Sequence, residues 1–104
     1  MNARLATISI LETFEKSGSQ LKIIRDQFFH RKKMSNLDRQ RTTVLTNEIV
    51  RWLPVIDSIY APYLQYPLRR LDSKVKAVLR LGVYESVMDS EIPDYAAIHS
   101  AVET

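Results

Sequence analysis

Lys76, Arg80 and Tyr84 stand four residues apart, so on a helix they share one stripe. Two cations and an aromatic ring on one face, with Arg69-Arg70 just upstream, suit phosphates and exposed bases. A structural alternative stands beside that reading. Arg80 interrupts an almost wholly apolar helical pattern, where a guanidinium is buried and needs a carboxylate. Glu48, inside the apolar pattern of an upstream helix, is the expected partner. Arg39 and Arg41 open another helix, where cations oppose the macrodipole, and that placement favours a functional use although Asp38 offsets it. The run His30-Arg31-Lys32-Lys33 closes a helix, where cations suit the dipole, and its plain reading is a solvated helix end.

Catalytic chemistry finds little support. The chain has no cysteine, which excludes a thiol nucleophile, a thiolate metal site and a disulfide. His30 and His99 are far apart, with no helical His-to-carboxylate spacing for a metal. Asp26, Asp57 and Glu85 form no acid pair in the pattern, and no serine has a convincing base. A net charge of +3 leans towards anionic partners. No apolar run approaches the ~20 residues of a membrane span. The start, Met1 to Leu5, lacks a signal-peptide pattern, so a cytoplasmic protein without membrane contact is expected.

The elements that must position these residues are helices. At 104 residues there is room for one domain, 1–104, and strand-like alternation is nearly absent. A first helix runs from about Asn2 to Lys16, with Leu5, Ile8, Leu11 and Phe14 inward and Gly18 ending it. A second, from about Ser19 to Lys33, turns Leu21, Ile24 and Phe28 inward. Ser35-Asn36 caps a long third segment carrying Val44, Leu45, Ile49, Trp52 and Leu53 on one face. Pro54 should kink or break it before it resumes through Ile56, Ile59, Tyr60 and Tyr63. Trp52, Tyr60 and Tyr63 are expected to pack rather than stack on RNA. A fourth helix, about Ser73 to Asp89, is apolar almost all round and so should be central, with Gly82 admitting a close neighbour. A fifth begins at Pro93 and continues to Thr104, where the chain stops inside a helical pattern, as a domain cut from a longer protein would.

Several blocks then line up along essentially the whole chain: Asn2-Ala3-Arg4, Leu37-Asp38-Arg39, Arg51-Trp52-Leu53-Pro54 with Asp57, Leu79-Arg80-Leu81-Gly82-Val83-Tyr84, and Ile92-Pro93 with Ala96-Ala97 and Ala101-Val102-Glu103. Their order and spacing resemble NusB-like domains, and especially the N-terminal domain of the RsmB (Sun, Fmu) ribosomal RNA cytosine-5 methyltransferases. The resemblance implies an all-α NusB-like bundle of about five helices, truncated at its C-terminal end. It implies an accessory domain that docks ribosomal RNA for its own separate methyltransferase domain. S-adenosylmethionine would belong to that other domain, with no cofactor and no catalysis in this chain. It also makes Arg4 an RNA contact, which joins Arg39, Arg69, Arg70, Lys76, Arg80 and Tyr84, the candidates that charge and spacing supply. The alternatives are a free-standing NusB-type transcription antitermination factor, binding RNA with a ribosomal protein, and a helical interaction domain or homodimer with no RNA role.

Overall fold

Asn2 opens the first helix by accepting a hydrogen bond on its side chain from the Leu5 backbone N–H. Gly18 ends it at φ 66°, a left-handed conformation that side-chain-bearing residues resist, and returns its own N–H to the Phe14 carbonyl. Between them lies α1 (Ala3–Ser17). The computed structural model describes residues 1–88, in which α2 (Leu21–Arg31), α3 (Asn36–Arg51), α4 (Leu53–Tyr60) and α5 (Ser73–Val83) follow. Short 3-10 turns occupy Ala61–Tyr63 and Leu68–Arg70, and a π turn, Tyr84–Met88, continues α5. The described residues are helices and connections without a strand, as an all-α NusB-like bundle requires. The helix expected from Pro93 lies outside the described residues.

The long third segment divides at Trp52. Pro54 sits in the first turn of α4, where its missing N–H removes no helical bond. Ser35 caps α3 through its hydroxyl, which accepts from the Asp38 N–H at 3.1 Å.

Two apolar clusters hold the bundle. Leu11, Ile49, Ile56, Tyr60, Ala77, Leu81 and Tyr84 join α1, α3, α4, α5 and the π turn. Ala6, Ile10, Ile24 and Phe28 join α1 to α2, with Phe14, Leu21, Phe29 and Met34 packed around them. Arg25 adds a polar tie from α2 to α3, its Nη1 donating to Asn47 Oδ1 at 2.7 Å.

The inward faces differ from the spacing of large apolar residues. On α1 the buried set is Ala3, Ala6, Thr7, Ile10 and Leu11, while Leu5 is exposed. α1 serves two clusters at once, and small residues let its neighbours approach. On α3, Thr42, Thr46 and Ile49 are buried and Val44 is exposed. Both threonines return their hydroxyls to the carbonyl four residues back, at 2.7 and 2.8 Å, so their burial leaves no hydroxyl unsatisfied.

Three further expectations need correction. α5 is not surrounded, because Val75 and Val78 are exposed. A Cβ on Gly82 would meet nothing within 4 Å, so the glycine does not serve close helix packing. Of the three aromatics expected to pack, Tyr60 is buried but Trp52 and Tyr63 are exposed. Trp52 lies at the α3–α4 corner, its Nε1 donating to Glu48 Oε2 at 3.3 Å with the Arg51 guanidinium 5.5 Å from its ring centroid.

Candidate nucleic-acid interface

α1 and α5 run antiparallel, and two ion pairs fix that arrangement. Arg4, near the start of α1, pairs with Glu85 in the π turn after α5. Glu15, near the end of α1, pairs with Lys76 near the start of α5. The second contact belongs to a larger cluster. Arg80 donates through Nε and Nη2 to Asp57 Oδ1 and Oδ2 at 3.0 and 2.9 Å, a two-pronged grip on one carboxylate. Its Nη1 reaches Glu15 Oε2 at 2.8 Å, and Lys76 Nζ reaches Glu15 Oε1 at 2.7 Å. The Tyr60 hydroxyl donates to Asp57 Oδ1 at 2.8 Å. Two cations and two carboxylates thus cancel across α1, α4 and α5.

The electrostatics follow from that geometry. Hydrogen bonds from Arg80, then from Lys76, hold the Glu15 carboxyl below its ordinary range, against a smaller opposing effect of burial. Burial, and then the hydrogen bond to the Asp57 carboxylate, push the Tyr60 phenol upward. Burial alone would lower the Arg80 guanidinium, but the bonds to Asp57 and Glu15 outweigh it and raise it.

The stripe of Lys76, Arg80 and Tyr84 therefore faces inward. All three residues are buried, and the Arg80 side chain keeps only 5% of its surface exposed. A phosphate reaching these cations would have to displace carboxylates already bonded to them, so the stripe is no open platform. The expected Arg80–Glu48 pair does not form either; Glu48 bonds to Trp52. α5 packs on α1 and α4, and the carboxylates those helices turn towards it are Glu15 and Asp57. Both carry a faint sequence signal: Glu15 lies one turn after buried Leu11, and Asp57 lies three residues before buried Tyr60.

The remaining predicted contacts divide between two ends of the bundle. Arg4 is at one end, its side chain 59% exposed despite its pair. The hairpin of α1 and α2 brings the close of α2 to that same end, since Ala6 and Phe28 share a cluster. Arg39, exposed in the opening turns of α3, joins them with its guanidinium 5.8 Å from the Phe29 ring centroid. His30, Arg31, Lys32, Lys33 and Arg41 are exposed in the same region. Residues 30–41 hold five Lys and Arg against the single carboxylate of Asp38, a net +4 where the whole chain carries +3. Arg69 and Arg70 lie apart, exposed in the 3-10 turn before α5, at the end where Glu15 meets Lys76. The fifteen residues of α1 separate the two ends by about 22 Å.

Among the described residues no group of histidines and carboxylates could hold a metal ion. No helix among them is long and apolar enough to cross a membrane.

The NusB family model matches residues 1–104, the full length of the chain. The chain belongs to the NusB family. Its similar relatives include a transcription antitermination protein NusB of Mannheimia succiniciproducens, 31% identical over 101 residues. That match covers 97% of this chain and 71% of the relative. Proteins of the same name from Helicobacter pylori strain Shi470 and Helicobacter acinonychis are 33% and 34% identical over 84 residues. Those matches cover 80% of this chain and 61% of each relative.

Proposed function

We propose that this chain is an RNA-binding protein of the NusB type that acts in transcription antitermination. The observation that carries the reading is the exposed basic junction between α2 and α3, at the same end as Arg4. Arg31, Lys32, Lys33 and Arg41 form no ion pair among the described residues, so their charge is available to phosphates. A helix end needs one or two cations to suit its dipole; this junction carries more, on both helices it joins. Arg39 belongs to that junction and Arg4 lies at the same end of the bundle.

The antitermination name of the relatives favours this reading over an RNA-docking domain of a methyltransferase. The block that suggested the methyltransferase, Arg51-Trp52-Leu53-Pro54, has a structural use here as the corner between α3 and α4. A chain of this kind binds and positions RNA, and no bond is made or broken by its side chains.

The test is RNA binding followed across salt concentration. The 104-residue chain should bind a labelled single-stranded RNA, and the affinity should fall as salt rises, by about 0.7 in the logarithmic slope for each phosphate engaged. Replacing the three cations together (R31Q/K32Q/K33Q) should flatten that slope by about two. Binding indifferent to salt, or unchanged in the triple variant, would refute the interface.

A further inference from the structure

The segment between α4 and α5 presents a second surface, of different chemistry. Tyr63 is 85% exposed and Tyr66 61%, with Arg69 and Arg70 exposed immediately after them. Neither ring makes a hydrogen bond or ring contact with the described residues, and neither arginine forms an ion pair there. No acidic residue occurs between Asp57 and Asp72. Asp57 is bonded to Arg80 and Tyr60, and Asp72 caps α5 by accepting from the Lys74 N–H.

The segment is also anchored. Leu64, Leu68 and Leu71 pack against the main apolar cluster, and the two 3-10 turns, at Ala61–Tyr63 and Leu68–Arg70, shape the backbone between them. Leucines turned inward thus alternate with rings and cations turned outward. Exposing two tyrosine rings to water gives nothing to the fold of this chain, since burial is where an aromatic ring stabilises.

We infer that Tyr63, Tyr66, Arg69 and Arg70 form a stacking subsite for unpaired RNA bases. The rings offer faces to two neighbouring bases and the arginines meet the flanking phosphates. Tyr63 and Tyr66 are three residues apart, so their backbones lie within about 11 Å of each other. Stacking tolerates any base, because each has a π face, and arginine adds charge without reading sequence. A second copy of this chain is disfavoured as the occupant, because a two-fold contact would set the same arginines against each other. The subsite deepens the RNA-binding reading and rests on it. It sits at the opposite end from the basic junction, so it would engage a different part of the strand.

The experiment compares two probes: a labelled single-stranded RNA of about 12 nucleotides, and the same strand annealed to its complement. Y63A/Y66A should weaken binding of the single strand by roughly tenfold or more and leave duplex binding within about twofold. Y63F/Y66F keeps the ring faces and should bind as the unaltered chain does. R69Q/R70Q should lower the salt slope for the single strand by about one. Equal loss on both probes, or no loss in Y63A/Y66A, would overturn the subsite. So would a single strand held normally by Y63A/Y66A while a polyglutamate peptide bound by the unaltered chain is lost, which marks a protein partner instead. If R31Q/K32Q/K33Q impairs RNA binding and Y63A/Y66A does not, the subsite alone fails. An unaltered chain that binds neither RNA removes the parent reading as well.

Discussion

Arg80 and Arg31 are the same residue type with opposite fates. Arg80 lies in the middle of α5, buried, with each nitrogen of its guanidinium bonded to Asp57 or Glu15. Arg31 ends α2 in water, beside Lys32 and Lys33, with no carboxylate engaged. The comparison teaches that a cation's role is set by what already satisfies it. A charge closed off by carboxylates holds helices together, and one left open in a cluster of like charge is available to a polyanion.

The sharpest way to break that contrast is to remove each arginine in turn. Arg80→Ala leaves the Asp57 carboxylate without its cation and Glu15 with Lys76 alone, and should cost about 3–5 kcal/mol, read as a lowered urea midpoint. Arg31→Ala should change stability by less than about 0.5 kcal/mol. Similar losses at the two sites would erase the distinction.

Proton titration sharpens the same point. The Glu15 carboxyl is held below its ordinary value of 4.5 in the folded chain, so its contribution is complete above that pH. It is lost as the pH falls through the folded value. Glu15→Gln should therefore reduce the fall in stability on acidification, measured by urea unfolding from neutral pH to about pH 3. Tyr60 works at the other end of the scale. Its folded pKa lies above the ordinary 10.0, so the stability it contributes is full below that value and is lost as pH rises beyond it. Tyr60→Phe should remove that alkaline loss, at the cost of the bond to Asp57.

Arg4, like Arg31, should have only a small effect on stability. Its pair with Glu85 is largely solvated, so Arg4→Gln should lower stability by no more than about 0.5 kcal/mol in a urea titration. The same change should weaken RNA binding measurably, which separates the two uses of one side chain.

Much of the fold could be read directly from residue types. Asn2, Ser35 and Asp72 cap helices, Gly18 ends one and Pro54 breaks one, because each acts through its own backbone chemistry. The packing faces were less legible. Large apolar spacing pointed to Leu5 and Val44, whereas Ala6, Thr42 and Thr46 are what the neighbouring helices cover. Small and hydroxyl-bearing residues give a weak hydrophobic signal even where they are indispensable to close approach. The site was legible in half. The need of Arg80 for a carboxylate followed from its apolar surroundings, but choosing Glu15 and Asp57 over Glu48 requires knowing which helices meet α5. The exposure of Tyr63 had no sequence signal, since an aromatic near an amphipathic helix normally packs.

The central claim is that open cations bind RNA while closed ones hold the fold. Its most direct test measures the salt dependence of single-stranded RNA affinity for R31Q/K32Q/K33Q beside Lys76→Met, with helix content checked by circular dichroism. Lys76→Met keeps the buried stem and leaves Glu15 paired to Arg80. The account predicts a flattened slope in the triple variant and an unchanged slope in Lys76→Met, both folded. A slope that falls with Lys76→Met and persists in the triple variant would contradict it.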